Sequence, residues 1–351
     1  MGNEAPSGRR DLPVDCEDGV MAWDRRKVAI TVAAAVAAAG LVAGGIVLAS
    51  RSAPPPGTSP SGPPSPTQSA LTSPFTGEPV RRPGPVLIVK IDNLVTARPQ
   101  TGLTRADIVY VLPVEGGLSR LMAVFSSYFP PVIGPVRSTR EDDIELLRQF
   151  GRPAFAYSGA DPRLLPLVHR ARIVDLYAGL AGGYYRDPNR FAPDNLYART
   201  RQLLAEARGA STARDIGFRF GPAPPGGRVT ASRSVAYQAA SFSFRWSAAR
   251  HRWLVSMDGS PAASSEDGQL SAATVVIQHT IVRPSRFHHV GIPSPYAESI
   301  GSGTAIVLRD GRSWNARWSR PLADDGTTFS TASGRPMTFA RGPVWIVLIG
   351  R

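Results

Sequence analysis

Cysteine is almost missing from this chain: one residue in 351, Cys16, stands ahead of the long apolar run that begins at Val28. The residues after it therefore have neither a disulfide nor a thiol nucleophile, and their stability must come from packing. Lysine is nearly as scarce, with Lys27 and Lys90 alone. No Walker lysine follows a glycine loop and no dinucleotide-binding glycine fingerprint occurs, which argues against ATP or NAD. The formal charge of +13 is carried by arginine, and the Ala-, Gly-, Pro- and Arg-rich composition points to a GC-rich genome rather than to a selected basic face. No basic helix and no interleaving of basic and aromatic residues accompanies that charge, so nucleic acid is not expected as a partner. Histidine is thin as well. His169, His251, His279, His288 and His289 show no metal-ligand spacing, and no G-x-S-x-G elbow surrounds Ser138 or Ser158. No metal and no cofactor is expected.

What is present divides the chain. Val28 to Ser50, VAITVAAAVAAAGLVAGGIVLAS, contains no charge, and about 20 apolar residues suffice for a helix to cross a bilayer. Arg25, Arg26 and Lys27 precede it directly while only Arg51 follows at once, a bias that holds the N-terminus in the cytoplasm. The expected layout is a cytoplasmic tail over 1–27, a single transmembrane helix acting as signal anchor over 28–50, and a Pro/Ser/Gly-rich linker over 51–74. The folded part is then extracytoplasmic, at the cell membrane. A cleaved signal peptide ending near Val47-Leu48-Ala49 is the competing reading, against which stands an apolar core longer than the usual length of roughly 7–15 residues.

From Phe75 the texture changes. VLIVKID, ADIVYVLPV and RLMAVFSSY are short β-branched or aromatic runs bounded by Gly and Pro, as strands are. REDDIELLRQF (Arg140 to Phe150) opens on carboxylates and spaces Ile144, Leu147 and Phe150 by three, the pattern of an amphipathic helix. PAFAYSG, DPRLLPLVHR and RIVDLYAG predict strand, short helix, strand, and Asp194 or Asn195 is placed to cap a helix through LYARTRQLLAEAR. This order predicts an α/β (α+β mixed) fold, with a layered α/β sandwich as N-terminal domain over 75–220. Beyond the turn-formers of Gly221 to Arg228, a small and mainly antiparallel β C-terminal domain is expected over 228–351. There Phe242, Phe244 and Trp246 share one strand face, as do Trp314 and Trp318, and Asp258-Gly259 and Asp310-Gly311 signal hairpins.

Several motifs in series resemble a known family. IDN at Ile91 to Asn93, ARPQTGLTRADIVY at Ala97 to Tyr110, VEGGLSR at Val114 to Arg120, IGPVRSTR at Ile133 to Arg140 and YYRDPNRFAPDNLY at Tyr184 to Tyr197 look like the signatures of the YerB-like family of bacterial envelope lipoproteins, a family of domains of unknown function. GSGTAIVLRDG and PVWIVLIG resemble its second domain. The resemblance implies a layered α/β body attached to the outer face of the membrane, with no established reaction. Two departures stand out. No cysteine follows the apolar stretch to accept a lipid, so the transmembrane helix is expected to replace the lipid anchor. Where the family pattern reads APHNLY, this chain has Asp194 in the middle position, which removes any role needing an imidazole there.

The candidate site grows from Arg98 to Arg120. Glu115, in a Gly-Gly turn between two strands, reads either as a solvated turn residue or, with Asp92 and Asp107, as part of a mixed-charge cleft shared with Arg120, Arg137 and Arg140. Arginine forks bind phosphate or carboxylate, so an anionic cell-envelope polymer or an envelope protein is the expected partner. Asn93, Ser138, Arg186, Arg190 and Asn195 complete the ligand-binding candidates, the last three in a polar loop placed to cover the cleft. The alternative is a metal-independent hydrolase or transferase on envelope glycans with Glu115 or Asp92 as catalytic base, which requires two carboxyl groups about 5–9.5 Å apart.

Overall fold

VLIVKID forms strand β1 (Leu87–Asp92), and all six of its residues are buried. Side chains of a strand alternate between two faces, and here both faces are covered: Leu87, Val89 and Ile91 join one hydrophobic cluster while Ile88 joins another. The same division repeats in β2 (Ile108–Pro113), where Val109 and Val111 face the first cluster and Ile108, Tyr110 and Leu112 the second, and in β3 (Ser119–Phe125). A computed structural model describes residues 71–266, 268–289 and 291–351. The expected tail, transmembrane helix and nearly all of the linker lie outside the described residues. Among the described residues no helix is long and apolar enough to cross a membrane.

The remaining elements, in chain order, are helix α1 (Glu141–Leu147), strand β4 (Ala154–Tyr157), helix α2 (Leu165–His169), strand β5 (Val174–Tyr177), helix α3 (Thr200–Glu206), strands β6 (Ser232–Ala236), β7 (Ser241–Ser247), β8 (Arg252–Met257), β9 (Thr274–Thr280), β10 (Val282–His289), β11 (Ile292–Ala297), β12 (Gly301–Arg309), β13 (Arg312–Arg320) and β14 (Val344–Gly350), with shorter pieces between them. One sheet of eleven strands carries the molecule. Its order runs from the edge piece Arg228–Val229 through β13, β12, β9, β14, β2, β3, β1, β4 and β5, with Thr328–Thr331 also paired to β13. Pairings β9–β14, β14–β2, β1–β4 and β4–β5 are parallel, while β2–β3 and β3–β1 are antiparallel. The C-terminal strand β14 lies between β9 and β2, Val344 opposite Ile108 and Val347 opposite Val111, so the two sequence halves share one sheet within a single unit.

The expected α/β layered sandwich is corrected here: the fold is β-rich, and its α-helices are only seven, five and seven residues long. Continuous apolar strands are the mark of a sheet covered on both faces, as this one is. The cover, however, is helical only in small part. On one face it is the sheet β6–β7–β8, whose Phe244 meets Trp345 of β14 edge-on with ring centroids 6.2 Å apart. On the other face Leu146 and Leu147 of α1 and Val168 of α2 join Phe150, Phe218 and Phe339 in filling the space. A second correction concerns Asp194 and Asn195, which cap no helix. Leu196–Arg199 is a strand paired to Tyr184–Arg186 and Val132–Ile133, and α3 starts only at Thr200.

Candidate functional site

Strand ends bring the charged groups together. Asp92 closes β1 and lies opposite Arg120 at the start of β3. Between β2 and β3 the chain makes a single tight turn at Glu115–Gly117, with φ of 68° at both Gly116 and Gly117. A Cβ on Gly117 would stand 2.4 Å from Cβ of Gln238, so only glycine lets this turn seat itself and fix Glu115. Beyond β3 the segment holding Arg137 to Arg140 passes the end of β1. Arg137 N–H donates to the Lys90 carbonyl at 2.8 Å, and Ser158 N–H to the Arg137 carbonyl at 3.0 Å.

Two ion pairs organise the cluster. Arg140 grips Glu115 with a fork, Nε to Oε1 at 2.7 Å and Nη2 to Oε2 at 2.8 Å, and Ser294 of β11 adds its hydroxyl to Oε1. Burial alone would push the Glu115 carboxyl up, but the Arg140 hydrogen bonds and charge, helped by Ser294, outweigh it and hold the group at about 2. Arg137 Nε stands 2.7 Å from Asp92 Oδ2, an ion pair whose N–H is not aimed at the oxygen, while Asp92 Oδ1 accepts the backbone N–H groups of Asn93 and Leu94. Arg120 donates Nη1 to the Ser138 carbonyl at 2.9 Å. Burial pushes this guanidinium down to about 9, with repulsion from Arg140 and Arg137 opposed by Asp92 and Glu115. Three guanidinium groups against two carboxylates leave one positive charge in excess. Among the described residues, Nη1 and Nη2 of Arg137 and Nε and Nη2 of Arg120 have no hydrogen-bond acceptor. A cavity of about 320 Å³ is lined by Asp92, Glu115, Arg120 and Arg137 together with apolar Leu94 and Ile292.

Other candidates fall elsewhere. Asp107 precedes the opposite end of β2, where it accepts the N–H groups of Ser126 and Ser127 at 2.6 and 2.9 Å. Six strand residues, about 20 Å of chain, separate it from Glu115, so it does not belong to the cleft. Burial raises its carboxyl to about 6 despite those bonds. Asn93 is fully engaged: its amide donates to Ser119 Oγ and its side-chain oxygen accepts from Arg98 and Gln100. Ser138 faces Ser158 Oγ at 3.4 Å and lines, with Arg140 and His288, a neighbouring cavity of about 340 Å³. Arg186 donates to Asn195 Oδ1 at 2.6 Å, Asn195 Nδ2 donates to the Asp187 and Arg190 carbonyls, and Arg190 donates to the carbonyls of Ala97 and Pro99. That loop is stapled to the segment after β1 and does not line the arginine cavity.

Sequence reading missed the hairpin β10–β11, which closes the cluster from the second half of the chain. Besides Ser294 on Glu115, it places Ser285 Oγ on Glu141 at 2.5 Å, Tyr296 OH on Glu145 at 2.6 Å and Ala297 N–H on Asp142 at 3.3 Å. The buried pair Lys90–Asp143, 2.7 Å apart and fully inaccessible, was missed too, although a lysine inside an otherwise apolar strand was a visible signal. Among the described residues no group of three or more His, Cys, Asp or Glu side chains is placed to hold a metal ion.

Known proteins share this architecture. The crystal structure of YerB protein from Bacillus subtilis matches with a TM-score of 0.66 and 20% identity, over 80% of this chain and 96% of that one, a likeness of fold. In sequence, the Bacillus subtilis (strain 168) protein described as "Putative lipoprotein YerB" is 39% identical over 100 residues, 27% of this chain and 30% of the length of that protein. The family descriptions "Protein of unknown function (DUF3048) N-terminal domain" and its C-terminal counterpart match residues 72–213 and 233–346 in succession, as the motif resemblance led one to expect, and the chain belongs to this YerB-like DUF3048 family.

Proposed function

We infer that this is a membrane-anchored protein of the bacterial cell envelope whose extracytoplasmic body binds an anionic group. One observation carries the reading: Arg120 and Arg137 converge on one cavity with hydrogen-bond donors left over, while Arg140 is already engaged by Glu115. Guanidinium groups short of anions in a partly buried hollow gain from an incoming phosphate or carboxylate. The relative described as a lipoprotein supports an envelope location, and the apolar stretch 28–50 supplies an anchor in place of an acylated cysteine. For the hydrolase reading Glu115 is a poor base, since a carboxylate held at about 2 by an arginine fork is weakly basic at neutral pH, and the other candidate, Asp92, is ion-paired with Arg137 at 2.7 Å.

Calorimetric titration with a poly(glycerol phosphate) tests the reading. Arg137→Gln should weaken binding by about 1.5–3 kcal/mol, the range for hydrogen bonds to charged groups, and the affinity of the unaltered protein should fall with added salt. Unchanged affinity in the variant would remove Arg137 from the site and the reading with it.

A further inference from the structure

The arginine cavity continues past Glu115. A second hollow of about 480 Å³ shares Val114, Glu115 and Gly116 with it. Its walls are largely apolar, built from Pro113, Tyr237, Val282, Pro284, Pro293 and Pro295. Arg283 also borders it, but that side chain already pairs with Glu298 at 2.9 Å and stacks on the Tyr296 ring. Tyr237 is pinned, its hydroxyl donating to the Leu348 carbonyl at 2.7 Å, and prolines hold their backbone rigidly. Ile292, which lines the arginine cavity, is 56% exposed, and Val282 in the trough is 36% exposed. A hollow bordered by two arginines thus adjoins a preformed apolar trough at the Val114–Gly116 turn.

We propose that this site takes an amphiphilic phosphate monoester, its phosphate on Arg120 and Arg137 and its aliphatic chain in the proline-lined trough. The proposal rests on the anion-binding reading and adds the ligand class. A lipid chain fits better than an extended peptide. The carbonyls of a buried peptide need N–H donors, and the four prolines of the wall have none to offer. An alkyl chain asks for no such partner, and its burial is favourable in proportion to area.

The test is calorimetric titration of the full chain with methyl phosphate and with octyl phosphate, the latter below its micelle-forming concentration. Octyl phosphate should bind about sixtyfold more tightly, since three buried methylene groups are worth roughly fourfold each. Val282→Ser and Ile292→Ser should narrow that ratio, and Arg137→Gln should weaken both ligands together by about tenfold or more. Equal affinity for the two phosphates, or a ratio unchanged in both serine variants, overturns the lipid assignment and leaves the arginine reading standing. Absence of binding by both ligands, or indifference to Arg137→Gln, removes the arginine reading as well. Tighter binding of an apolar octapeptide with a free C-terminal carboxylate than of octyl phosphate would give the trough to a peptide and overturn the proposal.

Discussion

Asp142 is buried with one carboxylate oxygen on Ala297 N–H and the other without a hydrogen-bond partner. Beside it Asp143 is tied to Lys90 and to Thr139, so the local positive charge is already claimed. Burial first, and then the negative charge of Asp143, raise the Asp142 carboxyl from 3.8 to about 7. Its folded form therefore holds a proton that the unfolded chain has released, and stability falls as pH rises between about 4 and 7. Asp142→Asn keeps an acceptor for Ala297 N–H and removes the ionisation. It should raise the midpoint of urea unfolding at pH 7.5 and leave it nearly unchanged at pH 4, so that the variant's stability is flatter across this window. Glu115 works in the opposite sense: lowered from 4.5 to about 2, it stabilises the fold above pH 4.5 and loses that contribution as pH falls through 2. Neither behaviour could be read from the sequence, where REDD looked like carboxylates placed against a helix dipole. Burial decides these values, and the hairpin that buries Asp142 comes from residues more than a hundred positions away.

The turn between β2 and β3 shows what was and was not legible at the scale of an element. Two glycines after Glu115 announced left-handed backbone, and both have positive φ; what the sequence could not show is that they meet different surroundings. Around a Cβ at Gly116 the nearest atom would be Leu118 Cδ1 at 3.9 Å, whereas at Gly117 it would collide with Gln238. Gly116→Ala should therefore cost only the backbone strain, about 1–2 kcal/mol. Gly117→Ala carries the same strain and a clash, so it should lower the thermal midpoint further and, by displacing Glu115, loosen the Arg140 fork; differential scanning calorimetry of the two variants checks the order. The Asp258-Gly259 and Asp310-Gly311 hairpins were equally readable, and all four residues have positive φ. Such turns depend on local chemistry alone. The strand Leu196–Arg199 was misread as helix because its pairing to Tyr184–Arg186 and Val132–Ile133 overrides the weak helical propensity of a short segment.

At the scale of the whole molecule, the feature least visible in the sequence is the parallel contact of β14 with β2, between opposite ends of the folded part. Strand periodicity says that a run is buried on both faces and does not say which neighbour lies beside it. The apparent change of texture near Gly221 thus marks no break in the sheet. Trp345, Ile346 and Val347 of β14 are buried against elements of both halves, and the backbone edge of β2 is satisfied only by β14. A fragment covering 71–220 would leave that edge open and strip the apolar cover from β2, conditions under which an exposed strand seeks another chain. Expressed alone, the fragment should show no cooperative thermal transition by circular dichroism and should elute as aggregate. Mixing it on refolding with a fragment covering 221–351 should restore one transition, because β14 then regains its place between β9 and β2. A sharp transition in the isolated first fragment would mean that its own share of the apolar cover suffices, and that Arg120, Arg137 and Glu115 can be assembled without the hairpin that closes over them.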